Sequence, residues 1–160
     1  MSATARPADL EDLKRLVRAL NDQGADYVLI GGYALLALGY QRATTDIDLL
    51  LPRSIPNGER VKLALLALPD RAAAGIDPAW FADDEAIRVA DEIVVDLLFG
   101  SCGETIESLR PHIVTIDLDG VAVRTLDVEG LLKTKQSLRD KDRLDRIILE
   151  RALEESRRRD

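Results

Sequence analysis

YVLIGGYALLALGYQRATTDIDLLLP, the stretch Tyr27–Pro52, decides the fold of this chain. Its first apolar residues predict a strand that ends at the glycine pair Gly31-Gly32. The small and apolar residues of Tyr33–Leu38 predict a helix, and a second strand follows that opens with two carboxylates and ends at the proline. We therefore interpret the stretch as a strand, a glycine turn, a helix and a second strand.

Asp46 and Asp48 form the most informative pair in this stretch. Residues two apart on a strand point to the same face, so both carboxylates are predicted to project together while Ile47 packs behind them. Two adjacent like charges are unfavourable unless a cation lies between them. Oxygen-only sites suit Mg²⁺, which usually binds one or two protein carboxylates together with substrate phosphates. The pair predicts a metal site; the alternative is a pair of acids at a strand end that is either solvated or paired with Arg42.

The glycine pair predicts a phosphate site at the other end of the same unit. Gly31 and Gly32 lack the Cβ atoms that would keep a ligand away from the backbone. They also lie where the predicted helix begins, and the N terminus of a helix presents free N–H groups to an anion. The structural alternative is a glycine turn that only ends a strand. Combined with the two carboxylates, the glycines favour a nucleotide-handling site.

In these motifs the chain resembles the nucleotidyltransferase superfamily, whose members have the polymerase-β-like fold. The pattern consists of Gly31-Gly32, thirteen residues, and Asp46-Ile47-Asp48, with Arg42 and Thr44 in the approach. It is most similar to small prokaryotic members: AbiEii-type toxins, minimal nucleotidyltransferase antitoxins, and aminoglycoside or lincosamide nucleotidyltransferases. The resemblance implies that the two glycines contact the phosphates of a nucleotide.

The segment between the predicted helix and the second strand supplies further candidates. Arg42 is either a surface cation close to an acid or a residue that reaches the triphosphate, as the resemblance implies. Family members often have a serine after the first glycine, with its hydroxyl on a phosphate, whereas here Tyr33 follows the second glycine. That hydrogen bond is therefore assigned to backbone N–H groups, to Thr44 or to Thr45. Both threonines are otherwise ordinary strand residues.

A third acid, Asp96, stands inside the apolar run IVVDLLF, Ile93–Phe99. This run and Ala86–Ala90 are predicted to form a β-hairpin that turns at Asp91-Glu92. An acid is costly to bury without a partner, so Asp96 requires a partner or a function. The alternative is an edge-strand acid that faces solvent. The resemblance implies that it lies beside the first two carboxylates, as a third metal ligand or as the base that takes a proton from the acceptor hydroxyl.

A second charged cluster lies in KTKQSLRDKDRLD, Lys133–Asp145. One helix is predicted from the N-cap Asp127 to Leu138, and another from Lys141 to Arg157. The simplest interpretation is a solvated helix pair with alternating charge.

The same cluster also resembles the lysine, arginine-x-lysine-aspartate, aspartate motif of AbiEii-type nucleotidyltransferases, with either Lys133 or Lys135 as the first lysine. The resemblance implies that these helices close the active site. Lys135 would contact the nucleotide phosphates, and Asp142 would orient the basic residues or assist the metal. The motif residues assigned to nucleotide binding are Lys135, Arg139, Lys141 and Asp142.

Length and composition limit the classes of function. The 160 residues indicate one domain, 1–160, with a core at 25–126 and C-terminal helices at 127–157. The formal net charge of −7, from 29 acidic and 22 basic residues, argues against broad non-specific affinity for nucleic acid. A single cysteine excludes an intrachain disulfide and a cysteine-based zinc site. Since no membrane-spanning run or signal peptide is recognised, we expect a cytoplasmic protein without a membrane partner.

We therefore predict an α+β fold of the nucleotidyltransferase type: a small mixed sheet, helices mainly on one face, and two C-terminal helices. The predicted reaction transfers a nucleoside monophosphate from an NTP to an acceptor hydroxyl and releases pyrophosphate. Two Mg²⁺ ions, with Mn²⁺ as an alternative, are expected at Asp46, Asp48 and Asp96. The residues assigned to the nucleotide are Gly31, Gly32, Arg42, Thr44, Lys135, Arg139, Lys141 and Asp142.

The acceptor stays open at this point. It is RNA such as tRNA, a partner protein or a small molecule, and the small domain favours a toxin–antitoxin system with a cognate toxin or antitoxin as partner. Two alternatives remain: a nucleotidyltransferase fold without activity that works as a binding module, and a regulatory subunit that binds NTP without transferring it.

Overall fold

A computed structural model of the protein describes residues 5–40 and 44–159. Within them the strands are β1 (Val28–Ile30), β2 (Ile47–Leu50), β3 (Ile87–Ala90), β4 (Val94–Leu98), β5 (Ile113–Leu118) and β6 (Val121–Leu126). The helices are α1 (Leu10–Asp22), α2 (Gly32–Ala37), α3 (Ile55–Leu65), α4 (Ile106–Leu109), α5 (Val128–Lys133) and α6 (Asp140–Arg159). Short 3₁₀ helices span Ala72–Gly75, Pro78–Ala82 and Arg110–His112.

The strands form one mixed sheet in the order β3-β4-β2-β1-β6-β5. Parallel pairs join β2 to β4 and β1 to β6, while the remaining neighbours are antiparallel. The predicted α+β class with a mixed sheet is thus confirmed. Because Ile30 at the end of β1 pairs with Asp48 in β2, the glycine turn that follows β1 lies next to the acidic start of β2.

The two faces of the sheet differ in burial. In β4, Val95 and Leu97 are fully buried, whereas the alternating residues Val94, Asp96 and Leu98 are only half-buried. Helix α1 packs against α3 and β6 and contributes fully or almost fully buried leucines to the core. One face is therefore the core face, and the half-buried residues of β4 belong to the opposite, open face.

The turn of the β3–β4 hairpin is one residue longer than predicted, and the strands also lack the predicted end residues Ala86 and Phe99. Strand β4 begins at Val94, and Ile93 belongs to a three-residue turn rather than to the strand. The buried carboxylate of Asp91 in this turn accepts hydrogen bonds from the N–H groups of Asp70 (2.9 Å) and Ala72 (2.8 Å). Contacts with a distant segment therefore support the wider turn.

Helix α5 is shorter than its prediction. The side chain of Asp127 accepts a hydrogen bond from the N–H of Gly130 at 2.8 Å, which confirms the predicted N-cap. The helix ends at Lys133 and does not continue to Leu138. In the connection between α5 and α6, the guanidinium of Arg146 donates hydrogen bonds to the carbonyls of Lys135 and Ser137. These side-chain bonds take the place of further helical hydrogen bonds.

Helix α6 spans Asp140–Arg159, slightly longer than predicted at both ends. No helix in the described part of the chain is long and apolar enough to cross a membrane.

Candidate active site

A cavity of about 840 Å³ lies between the open face of the sheet and the connection from α5 to α6. Every predicted site residue that the structure describes lines this cavity: Gly31, Gly32, Thr44, Asp46, Asp48, Asp96, Lys135, Arg139, Lys141 and Asp142. Arg42, also predicted, lies outside the described residues. The N-terminal motif and the C-terminal cluster, about ninety residues apart in the chain, thus meet at one site.

Three carboxylates form one wall of the cavity. Asp48 lies directly opposite Asp96 in the parallel pair of β2 and β4, and Asp46 immediately precedes β2. The flanking residue pair Leu49 and Leu97 points to the core face and is fully buried. Strand alternation therefore forces both paired acids onto the open face.

The carboxylates influence one another. Burial, followed by the negative charge of Asp96, raises the pKa of Asp48 to about 6, and the positive charge of Lys135 opposes this rise. Burial also raises the pKa of Asp96, against the opposing positive charge of Arg88. Negative charge is thus concentrated where solvent cannot fully screen it, which is the environment that a bound cation relieves.

Arg88 is a site residue that the sequence analysis missed. Its Nη2 donates a hydrogen bond to Oδ2 of Asp46 at 2.8 Å, and its Nε lies 3.7 Å from Oδ1 of Asp96. It stands opposite Asp96 in the antiparallel pair of β3 and β4 and lines the cavity. The guanidinium of Arg88 therefore supplies positive charge to two of the three acids.

The glycine pair is required by the protein's own side chains. Gly31 has a φ of +77°, and a Cβ atom there would overlap with the carboxylate of Asp48. A Cβ atom on Gly32 would lie 2.7 Å from both Cβ and Oγ1 of Thr44. Because both glycines lack a Cβ atom, Asp48 and Thr44 can pack against the backbone of the glycine turn. The glycines line the cavity and have this packing role, while the phosphate contact expected of them stays a prediction.

The opposite wall carries the basic residues. Lys135 is buried, with its Nζ 3.0 Å from Oδ2 of Asp145 and 3.7 Å from Oδ1 of Asp142. Arg139 is 73% exposed, and its Nη2 lies 3.8 Å from the same Asp142 oxygen. Of the two lysines left open by the sequence, Lys135 lines the cavity, while Lys133 is exposed on α5. Asp142 lies within 4 Å of both cations, and its role stays a prediction.

The turn after β4 and the end of α5 also line the cavity, through Ser101, Cys102 and Thr134. The hydroxyl of Ser101 and the thiol of Cys102 donate to the carbonyl of Thr134 at 3.2 and 3.3 Å. These contacts join the turn after β4 to the end of α5. In the sequence, the only signal for this contact is the Gly-Ser-Cys-Gly turn that follows the acid-bearing strand.

The donor set fits a hard divalent cation. Asp46, Asp48 and Asp96 offer oxygen atoms alone, which is the chemistry that Mg²⁺ prefers. Among the described residues, no three side chains of the types that bind metals are already arranged as a metal centre. The guanidinium of Arg88 lies against two of the carboxylates, so metal binding would require this side chain to move.

Comparisons with known proteins bear on the fold. No protein-family model matches the chain, and no curated protein matches its sequence. Among solved structures, it is similar to a candidate nucleotidyltransferase from Thermotoga maritima, with a TM-score of 0.56 and 13% identity over 94% of this chain and 93% of the other. It is also similar to an antigenic nucleotidyltransferase-like protein from Paracoccidioides brasiliensis, with a TM-score of 0.51 and 18% identity over 89% and 77%. The chain therefore has the nucleotidyltransferase-like fold that the sequence predicts.

Proposed function

We propose that the protein is a metal-dependent nucleotidyltransferase. The observation that carries this proposal is the cavity itself, which is lined by three carboxylates from the sheet and by three cations from the α5–α6 region, Lys135, Arg139 and Lys141. A nucleoside triphosphate in complex with a divalent metal has the matching charges: a cation for the acids and phosphates for the basic wall. The fold shared with nucleotidyltransferase-like structures supports the same conclusion.

Each wall has a distinct task in this proposal. Asp46, Asp48 and Asp96 would hold Mg²⁺, which neutralises the charge that develops on the phosphates during transfer. Lys135, held in place by its ion pair with Asp145, would give the triphosphate a fixed positive charge. Arg139 is exposed and only loosely paired, so its guanidinium is free to close onto the phosphates.

The chemistry requires a base and a leaving group. The acceptor hydroxyl oxygen would attack the α-phosphorus, and the bond between this phosphorus and the oxygen that bridges to the β-phosphate would break. Pyrophosphate would leave, and Asp96 would take the proton of the acceptor hydroxyl. Asp96 lines the cavity beside the edge strand β3, where its register partner is Arg88.

For the acceptor, we propose a macromolecule, tRNA or a partner protein, within a toxin–antitoxin system of the AbiEii or minimal nucleotidyltransferase kind. Leu138 supports this choice: it is 96% exposed and stands between Ser137 and Arg139, both of which line the cavity. An exposed apolar side chain next to residues that line a charged cavity suits contact with a large partner. A cytoplasmic location belongs to the same proposal.

A non-catalytic binding module is the second candidate. Arg88 favours it, because its guanidinium supplies positive charge to Asp46 and Asp96 from within the chain. Leu144 and Ile147 favour it as well, since they are 63% and 54% exposed on α6 and would suit a protein interface. Metal and nucleotide binding decide between the two candidates.

Calorimetric titration tests the proposal directly. Each of the four Mg²⁺-NTPs is titrated into the wild type, the Asp46→Asn/Asp48→Asn variant and the Asp83→Asn/Asp84→Asn variant. The last pair is a matched control, because both acids are exposed and lie outside the cavity. We expect Mg²⁺-dependent binding by the wild type and the control but not by the site variant. Absence of binding by the wild type to every nucleotide would favour the binding module.

Transfer is then measured with NTPs labelled at the α-phosphate. The acceptors are total tRNA and co-encoded proteins, with Asp96→Asn as the inactive variant. Label on an acceptor that the wild type produces and the variant does not would establish both the reaction and the acceptor class.

A further inference from the structure

Arg88 contacts carboxylates that the proposed function assigns to the metal. Its guanidinium contacts Asp46 at 2.8 Å and lies 3.7 Å from Asp96, and thus lies against two of the carboxylates that would hold the metal. If it stayed there, it would compete with the metal for both acids. Its role must therefore differ between the empty and the occupied site.

Arg88 has the freedom to leave the acids, in contrast to Lys135, which is buried in the same cavity. It is 62% exposed and stands on β3, the strand at the edge of the sheet. Lys135, in comparison, is 7% exposed and held by Asp145 at 3.0 Å. Exposed ion pairs are weak, so the guanidinium can exchange partners at little cost.

We propose that Arg88 is a built-in counter-ion that holds Asp46 and Asp96 in the metal-free protein and transfers to the phosphates when the metal–nucleotide complex binds. This inference rests on the proposed function, since it assumes that the carboxylates are metal ligands. A guanidinium forms paired hydrogen bonds with carboxylates and with phosphates alike, so the same side chain suits both partners.

Two opposite effects follow from this exchange. Without nucleotide, Arg88 weakens metal binding, because the metal must displace it from the acids. With a triphosphate present, Arg88 strengthens binding, because it gains the phosphates. The protein would therefore discriminate against free Mg²⁺ and favour Mg²⁺ bound to a triphosphate.

The test compares the wild type with Arg88→Gln and Arg60→Gln. Arg60 is exposed on α3, which packs against α1, and lies outside the cavity, so its variant controls for the loss of one positive charge. The probes are Mg²⁺ alone and Mg²⁺-tripolyphosphate, which has the phosphates but no base. Both are titrated calorimetrically into metal-free protein.

For Arg88→Gln we expect Mg²⁺ alone to bind about threefold to tenfold more tightly than to the wild type. Mg²⁺-tripolyphosphate should bind about tenfold more weakly. Arg60→Gln should leave both affinities within about twofold. An affinity that rises for Mg²⁺ and falls for Mg²⁺-tripolyphosphate indicates an exchange of partners. A structural defect would instead weaken the binding of both probes.

Other results overturn the inference in recognisable ways. If the wild type binds Mg²⁺-NTP but Arg88→Gln binds Mg²⁺ alone no more tightly, the exchange is wrong while the proposed function stands. Weaker binding of both probes to the variant would reduce Arg88 to a structural residue. If neither protein binds Mg²⁺ with or without tripolyphosphate, the proposed function fails and the inference falls with it.

Discussion

Asp48 lies directly opposite Asp96 across the parallel strands β2 and β4, with both carboxylates on the open face of the sheet. Burial and the charge of Asp96 raise the pKa of Asp48 to about 6, above its ordinary value of 3.8. Since the folded state binds this proton more tightly than the unfolded state, stability falls as the pH rises from about 4 to 6. The ionised pair therefore costs stability at neutral pH when no metal is bound.

Asp48→Asn should accordingly stabilise the metal-free protein. We expect a gain of about 2 kcal/mol in the free energy of unfolding at pH 8, reduced from the full shift because Asp48 is partly exposed, and almost none at pH 4. Urea unfolding in EDTA at both pH values measures it, with the exposed Asp84→Asn as control. A variant less stable than the wild type at pH 8 would contradict the cost assigned to this pair.

Gly31 and Asp48 are coupled by packing, because a Cβ atom on Gly31 would overlap with the Asp48 carboxylate. We expect Gly31→Ala to lower the free energy of unfolding by about 3 kcal/mol. Gly24→Ala is the matched control: its φ of +66° is close to the +77° of Gly31, but nothing lies within 4 Å of its Cβ position. Its expected cost is about 1 kcal/mol, from the backbone alone.

The same clash predicts non-additivity. In an Asp48→Ala background, the cost of Gly31→Ala should approach that of Gly24→Ala, because most of the overlapping atoms are gone. Chemical denaturation of the four proteins of this cycle measures the coupling. Equal costs in both backgrounds would mean that the glycine is needed for its φ angle and not for the close approach.

Alternation within a strand could be deduced from the sequence, but the register between strands could not. A period of two residues fixes the face of Asp96 in its own strand. The two-residue turn predicted at Asp91-Glu92 would pair Arg88 with Val95 and turn it to the core face. The observed three-residue turn pairs it with Asp96 instead. A slip of one residue in the register moves a side chain to the other face of the sheet, and for this reason the sequence analysis missed Arg88.

The C-terminal half of the site followed from motif resemblance more than from periodicity. Helical periodicity predicts α5 as far as Leu138, yet the helix ends at Lys133. The connection that holds Lys135 depends on Arg146, whose guanidinium donates to backbone carbonyls of this segment. Such tertiary hydrogen bonds leave no local pattern. The residues of the cluster were predictable, but the loop that brings them to the cavity was not.

The buried ion pair between Lys135 and Asp145 should be strongly coupled. Their charged atoms are 3.0 Å apart, and Asp145 is fully buried. Removal of one partner leaves a buried charge with less compensation, so Lys135→Met and Asp145→Asn should each cost about 3 kcal/mol. The double variant should cost clearly less than the sum, by about 1.5 kcal/mol or more.

A surface pair provides the reference for this cycle. Lys14 and Glu11 are 2.7 Å apart, but Glu11 is 74% exposed, so Lys14→Met and Glu11→Gln should couple by less than about 1 kcal/mol. Urea unfolding of both cycles gives the comparison. Additivity at Lys135 and Asp145 would show that the buried pair does not hold the α5–α6 connection in place.

Arg139 should affect binding without affecting stability. It is 73% exposed, lines the cavity and lies no closer than 3.8 Å to Asp142, so Arg139→Gln should change the free energy of unfolding by less than about 0.5 kcal/mol. Mg²⁺-tripolyphosphate affinity should fall about tenfold, and less so at high salt, because a charge contact to phosphate is lost.

Arg143→Gln is the matched control for Arg139. Arg143 is 67% exposed, lies 3.9 Å from Asp140 and does not line the cavity. Calorimetric titration of both variants at low and high salt separates a direct phosphate contact from a general loss of positive charge. If both variants lose the same affinity for Mg²⁺-tripolyphosphate at low salt and do not differ from each other at high salt, Arg139 acts only through its long-range electrostatic field. A selective loss at Arg139 would support direct contact with the triphosphate.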